Sequence, residues 1–201
     1  MYRDFMFFWK TLSLFSKVCL IAFAAIVTCI SVAIAFYLSS LTVKNNKYNA
    51  IILSAAIRYN VDPNLIKAVI WKESSFNPFV IGGKKERGLM QIMEKNAVQD
   101  WANYRKCSIP PDGILYSPET NIDIGTWYLA RCHKHWNKYK NSLALALAEY
   151  NAGYKNAKEW APKNPEDSVT ERIKFPSTKA YVKAILKKYD SYKNSTAKLQ
   201  N

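Results

Sequence analysis

Residues 71–79 read Trp-Lys-Glu-Ser-Ser-Phe-Asn-Pro-Phe, and the acid in this stretch is the first candidate for chemistry. Glu73 follows a run of helix-forming apolar residues and precedes Asn77-Pro78, which cannot continue a helix. With Leu65 set to zero and about 100° per residue, Val69 falls at about 40°, Ile66 at about 100° and Ile70 at about 140°. Glu73 falls at about 80°, in the middle of that apolar stripe, while Lys67 and Trp71 point elsewhere. A carboxyl so placed loses hydration, which favours its neutral form and suits it to donate a proton near neutral pH. A helix-end Glu that swings out to water has the same spacing, so periodicity leaves both readings open.

Two further stretches carry groups able to hold a ligand. Gly88-Leu89-Met90-Gln91-Ile92 brings a flexible residue, apolar residues and an amide together at what reads as a helix start. Ala148-Glu149-Tyr150-Asn151-Ala152-Gly153 ends another helix with Tyr and Asn among small residues, where a ligand can approach the backbone. Each has a plain alternative: Gly88 as a turn, Gln91 as a surface amide, Gly153 as a helix stop.

The elements that must position these groups read as helices throughout. Tyr48 to Asn60 forms a first amphipathic helix, and Asp62-Pro63 caps and opens a second. A third is predicted over 89–104, a fourth from Ser117-Pro118-Glu119 to about Tyr139, a fifth from Ser142 to Tyr150 and a last from Thr178 to Tyr192. Residues 161–177 are Pro-rich and irregular, and no alternating strand pattern or repeat is visible. Six Trp, thirteen Tyr and nine Phe against only six Gly and eight Pro exclude a linker-dominated or disordered chain.

Residues 18–43 contain no charged residue over 26 positions, and about 20 apolar residues suffice to cross the hydrocarbon core. Arg3, Lys10 and Lys17 precede this run against Asp4 alone, so residues 1–17 read as a short cytoplasmic segment, 18–43 as a transmembrane anchor and 45–195 as an exported domain. A cleaved signal peptide competes, because Ala33-Ile34-Ala35 has the form of a cleavage site; the apolar run continues past it to Val43. Residues 45–201 hold 25 Lys and Arg against 14 Asp and Glu, a basic surplus read outside the cytoplasm. That disfavours nucleic acid as a partner and favours an anionic envelope polymer or lipid headgroups. Cys107 and Cys132 lie where a disulfide is chemically permitted, and sequence leaves their pairing open. His133 and His135 beside Cys132 lack a second ligand pair at metal spacing, so an exposed helix carrying two His is the plainer reading.

In this order and spacing, Glu73-Ser74-Ser75-Phe76-Asn77-Pro78, Gly88 to Ile92, Asn121-Ile122 with Gly125 and Tyr128-Leu129, Ala148 to Gly153, and Thr178 with Tyr181-Val182 resemble the soluble-type lytic transglycosylases of family 1, relatives of goose-type lysozyme. The resemblance runs from about Tyr48 to Tyr192. It implies an all-α, lysozyme-like transglycosylase domain preceded by one N-terminal transmembrane helix. It also implies cleavage of the β-1,4 bond between MurNAc and GlcNAc in peptidoglycan glycan strands, with no cofactor and no metal. Glu73 would be the single catalytic acid, Ser74 would help position the muramyl N-acetyl group or the acid, and Gln91, Tyr150 and Asn151 would line the sugar site. Met90 would form part of the sugar-facing wall, and Tyr181 would orient Glu73. The chain departs from the family pattern at Met93-Glu94, in the charged loop Lys84-Lys85-Glu86-Arg87, at Tyr154-Lys155 and at Ser177. These departures bear on the shape of the cleft and on internal against terminal cleavage. Two rivals remain: a hydrolase on the same fold using an extra carboxylate such as Glu149, and an inactive wall-binding scaffold of a secretion apparatus.

Overall fold

The structure is a computed structural model that describes residues 13–93 and 97–200. The cytoplasmic segment expected over 1–17 falls largely outside the described residues. The chain divides into two compact units, Met1–Lys47 and Tyr48–Asn201.

The described residues of the first unit form one long helix, α1 (Leu14–Asn46), capped by the Ser13 hydroxyl, which accepts from the Ser16 N–H. It is long and apolar enough to cross a membrane, and its large apolar side chains, among them Phe15, Phe23, Ile30, Phe36 and Val43, are exposed. Hydroxyl groups within it turn back onto the helix: Thr28 donates to Ala24 O, Ser31 to Val27 O and Thr42 to Leu38 O. A helix surrounded by hydrocarbon requires such internal satisfaction of its polar atoms.

The second unit is helical, and among its described residues the only bridges are the isolated pairs Ile81–Arg87 and Arg87–Ile92. Helix α2 (Asn49–Tyr59) ends at Asn60, whose left-handed backbone (φ 52°) stops it. Helix α3 (Pro63–Ser74) begins as its sequence dictates, with the Asp62 carboxylate accepting the Asn64 N–H and Pro63 in the first turn. The other Asp62 oxygen accepts the Tyr189 hydroxyl at 2.7 Å, tying the start of α3 to the last helix. Ser75 and Phe76 both take positive φ, which ends α3 at Ser74.

The structure adds a helix at Tyr154–Trp160 that the sequence does not predict, extends the last helix beyond Thr178–Tyr192 at both ends, and corrects the third. The helix predicted over 89–104 does not begin at Leu89: residues 88–92 form a turn, and the helix α4 covers only Gln99–Arg105. Gly88 (φ 79°) and Gln91 (φ 49°) are left-handed, and Arg87 and Ile92 exchange backbone hydrogen bonds, closing the turn as a small antiparallel hook. The carbonyls and amides that a helix would pair internally are instead taken by Asn121, as described below.

A 3-10 turn (Asp112–Tyr116) leads into α5 (Pro118–His135), followed by α6 (Ser142–Ala152), α7 (Tyr154–Trp160), a 3-10 turn (Thr170–Arg172) and α8 (Pro176–Gln200). Helix α6, whose Ala144 to Glu149 are all buried, packs against α5, α7 and α8. Its Leu-Ala alternation suits a helix covered on every side. The core adds Leu65, Ile66, Val69 and Ile70 from α3, Ile122 and Ile124 from α5, and Val182 and Ile185 from α8. Cys107 and Cys132 are both free, the first exposed and the second fully buried.

Candidate active site

Glu73 sits on the last turn of α3, where the apolar stripe already buries Leu65, Ile66, Val69 and Ile70 and draws the acid inward with them. It lines an open cleft with Gln91 and Ile92 from the hook, Tyr128 from α5, Tyr150 and Asn151 from α6, and Gly82, Lys84 and Glu86 from the charged loop. Burial pushes the Glu73 carboxyl up from 4.5 to about 7, against the hydrogen bond from Tyr181 and the charge of Lys72, which pull it down; the nearby Glu86 carboxylate adds to the rise. A shift of this size represents about 3 kcal/mol of preference for the neutral acid.

The acid is held from one side by α8. The Tyr181 hydroxyl donates to Glu73 Oε1 at 2.6 Å, and Tyr181 is itself buried. Burial beside the Glu73 charge holds the phenols of both Tyr181 and Tyr150 well above their ordinary value, so both stay neutral donors.

The hook is fixed from behind by a residue the sequence reading quoted without a role. Asn121, 1 % exposed on α5, accepts the Met90 N–H at 2.8 Å and donates to Arg87 O and Leu115 O, each at 2.8 Å. One amide therefore satisfies three backbone groups that no helix pairs. Its signal in the sequence was a polar residue directly before a buried apolar one on α5, a pattern that becomes informative only once the turn is known to be non-helical.

The remaining expected residues separate into cleft-lining and supporting positions. Gln91 lines the cleft, with its Nε2 donating to Val80 O and Gly88 O. Tyr150 lines it too, and its hydroxyl donates to Met90 O at 2.8 Å. Asn151 is exposed on the cleft and accepts the Thr178 hydroxyl at 2.7 Å. Ser74 is buried, its hydroxyl shared between Leu89 O at 2.8 Å and Ile70 O at 3.2 Å, so it joins the end of α3 to the hook. Met90, expected on the sugar-facing wall, is fully buried and lies against Gly125 and Thr126. Its backbone N–H and carbonyl, both hydrogen-bonded, are what it brings to the site.

Glu149 turns away from the cleft. It is 1 % exposed, with Trp136 Nε1 donating at 2.7 Å and His135 Nδ1 at 2.9 Å, because adjacent residues on a helix point about 100° apart. Among the described residues the other carboxylate on the cleft is Glu86, whose Oε2 accepts the Lys84 N–H at 2.7 Å. A second hollow adjoins the first, sharing Lys84, Glu86 and Asn151 and adding Lys72, Ser177 and Tyr181. The floor therefore continues past Glu73 in the direction of α8, as an extended polymer would require.

The transglycosylase SLT domain family matches residues 50–173. A membrane-bound lytic murein transglycosylase C from Edwardsiella ictaluri is 40 % identical over 101 residues, covering 50 % of this chain and 28 % of that protein. A membrane-bound lytic murein transglycosylase E from Buchnera aphidicola is 37 % identical over 116 residues, covering 56 % of this chain and 52 % of that protein. The chain thus matches less than a third of the first relative's length and about half of the second's. Among solved structures, the 70 kDa soluble lytic transglycosylase of Escherichia coli superposes with a TM-score of 0.64 at 31 % identity over 72 % of this chain and 24 % of that one. The same 70-kDa enzyme type in complex with bulgecin A gives a TM-score of 0.67 at 29 % identity over 75 % of this chain and 25 % of that chain.

Proposed function

Because the chain belongs to the transglycosylase SLT domain family, we propose that it is a peptidoglycan lytic transglycosylase with a lysozyme-like catalytic domain over residues 45–195 and a membrane anchor over 18–43. It cleaves the MurNAc-β-1,4-GlcNAc bond without water and leaves 1,6-anhydroMurNAc ends. The observation that carries this reading is Glu73: a carboxyl at the floor of an open cleft, pushed up to about 7 and held by Tyr181 at 2.6 Å.

The chemistry follows from one acid doing two proton transfers. Neutral Glu73 gives its proton to the glycosidic oxygen as the C1–O bond breaks, and the N-acetyl oxygen of the same MurNAc closes on C1 to carry the positive charge. Glu73, now a carboxylate, takes the proton of the C6 hydroxyl as O6 attacks C1 and releases the N-acetyl oxygen. The acid ends as it began and no water enters. A pKa near neutrality suits a group that must be a competent acid in one step and a competent base in the next. Tyr181, neutral and donating, keeps the carboxyl aimed while its charge changes. Gln91, Tyr150 and Asn151 face the sugars, whereas Ser74 and Met90 fix the wall behind them.

The anchored placement is supported by the length and apolarity of α1 and by the membrane-bound names of the relatives. The basic residues before it put the N-terminus in the cytoplasm and the catalytic domain on the wall side of the cell membrane. Mass spectrometry of products released from purified peptidoglycan, beside Glu73→Gln, is the direct test. Ends of 1,6-anhydroMurNAc that vanish with the variant support the reading. Products heavier by one water point to a hydrolase, and then Glu86, the other carboxylate on the cleft among the described residues, is the residue to replace.

A further inference from the structure

Away from the cleft, α3 and α8 together build a patch of cations on aromatic rings. Lys67 Nζ lies 5.2 Å from the centroid of the Tyr192 ring, and Lys188 Nζ lies 4.7 Å from the same ring and 5.3 Å from that of Trp71. One turn further along α8, Lys193 Nζ lies 5.3 Å from the Tyr189 ring. The Tyr192 hydroxyl is buried and has no hydrogen-bond partner among the described residues.

Two ammonium groups over one phenol repel each other. Lys67 is in addition half-buried, and burial and the Lys188 charge both pull its pKa down. Of the acids near in sequence, Asp62 accepts the Asn64 N–H and the Tyr189 hydroxyl, and Asp190 lies two positions after Lys188 on α8. An anion between the two ammonium groups would screen that repulsion. Lys, Trp and Tyr are also the side chains that settle at the boundary of a bilayer, where rings meet the acyl edge and ammonium groups meet phosphate.

The chain brings this patch to a membrane by connectivity alone. Lys67 Nζ donates to Asn49 Oδ1 at 3.1 Å, and Asn49 follows the last residue of the apolar run, Val43, by six positions. Fully extended, six residues span roughly 20 Å, so Lys67 cannot be far from the surface that the run enters. We infer that the face carrying Lys67, Lys188, Lys193, Trp71 and Tyr192 is a docking surface for the phosphate headgroups of anionic lipid, seating the domain on the bilayer. The inference rests on the anchored placement proposed above and adds to it a surface of the catalytic domain itself.

The test uses the full chain in nanodiscs of phosphatidylcholine alone or with about a quarter phosphatidylglycerol. Lysine acylation is followed residue by residue. At low salt Lys67 and Lys188 are expected to react about fivefold more slowly in the anionic discs, the difference vanishing at high salt, with Lys138 and Lys163 unchanged. In a Lys67→Gln/Lys188→Gln double variant, the protection of Lys193 should vanish too, while the chain stays in the disc and keeps its melting temperature. Equal rates in the two discs, with the chain inserted in both, overturn the docking surface and leave the anchor intact. Protection by a soluble anionic wall polymer but not by lipid overturns it as well, assigning the patch to that polymer. A chain that enters neither disc overturns the anchored placement and this inference with it.

Discussion

At the scale of single residues, the cleft is organised around the ionisation of Glu73. Burial raises its pKa to about 7, so a reaction that begins with the neutral acid loses rate as pH rises through that value. Replacement by Gln should lower turnover about 10²- to 10⁴-fold, read as release of soluble muropeptides. Its neighbours shift that alkaline limb in opposite directions. Tyr181 donates to the carboxyl and favours its charged form, so Tyr181→Phe moves the limb to higher pH as it lowers kcat. Glu86 is a like charge, so Glu86→Gln moves it to lower pH. A pH profile that shifts the same way in both variants would refute this assignment of signs. The same burial makes a stability prediction. The folded pKa exceeds the unfolded one, so the stabilising contribution of Glu73 is complete below about 4.5 and lost as pH rises through about 7. Denaturation at pH 4 and pH 8 should therefore show Glu73→Gln gaining about 3 kcal/mol over the parent at the higher pH.

At the scale of elements, the hook at 88–92 is the piece whose position decides whether the cleft exists. It lacks a helix's internal hydrogen bonds and is held instead by Asn121, Ser74 and Tyr150. Asn121→Ala leaves the buried Met90 N–H unpaired and should cost about 1–3 kcal/mol, with activity falling alongside the melting temperature. The close approach of α5 depends on Gly125, where an added Cβ would meet Met90 Sδ at 2.5 Å and Met90 Cβ at 2.7 Å. Overpacking of this kind costs about 1–3 kcal/mol, so Gly125→Ala should destabilise and displace the hook. Gly88→Ala combines a left-handed backbone with contacts of 2.3 Å to Asn121 Nδ2 and 2.5 Å to Leu115 O, and should be worse. Calorimetry that ranks Gly125→Ala as the more damaging of the two would contradict this account.

At the scale of the whole molecule, the chain joins a long apolar helix to a helical unit that carries most of the basic surplus. The core, from α2 through α8, lies within the second unit. Residues 45–201 expressed alone should accordingly unfold in one cooperative transition and release the same products from isolated peptidoglycan as the full chain. A broad, non-cooperative melt would show that the domain needs the preceding helix to fold.

The sequence by itself determined the helical class, the cap and start of α3 at Asp62-Pro63, the apolar N-terminal helix and the place of Glu73 on the apolar stripe of α3. Each of these depends on local periodicity or capping chemistry, which is written in consecutive residues. The ordered blocks from Glu73 to Tyr181 also carried the family. The conformation of residues 88–92 was not legible, because Leu89, Met90 and Ile92 have helix-compatible side chains. Only the tertiary bonds from Asn121 and Tyr150, residues distant in sequence, make the turn the better-satisfied arrangement. The same holds for Ser74, Met90 and Glu149: their types admit a role in the cleft, and packing turned all three away from it. Glu86 went the other way, from a departure in a charged loop to a neighbour of the acid, because the loop folds back over the end of α3. Which polar groups face substrate depends on distances between elements, and those distances exist only in the folded chain.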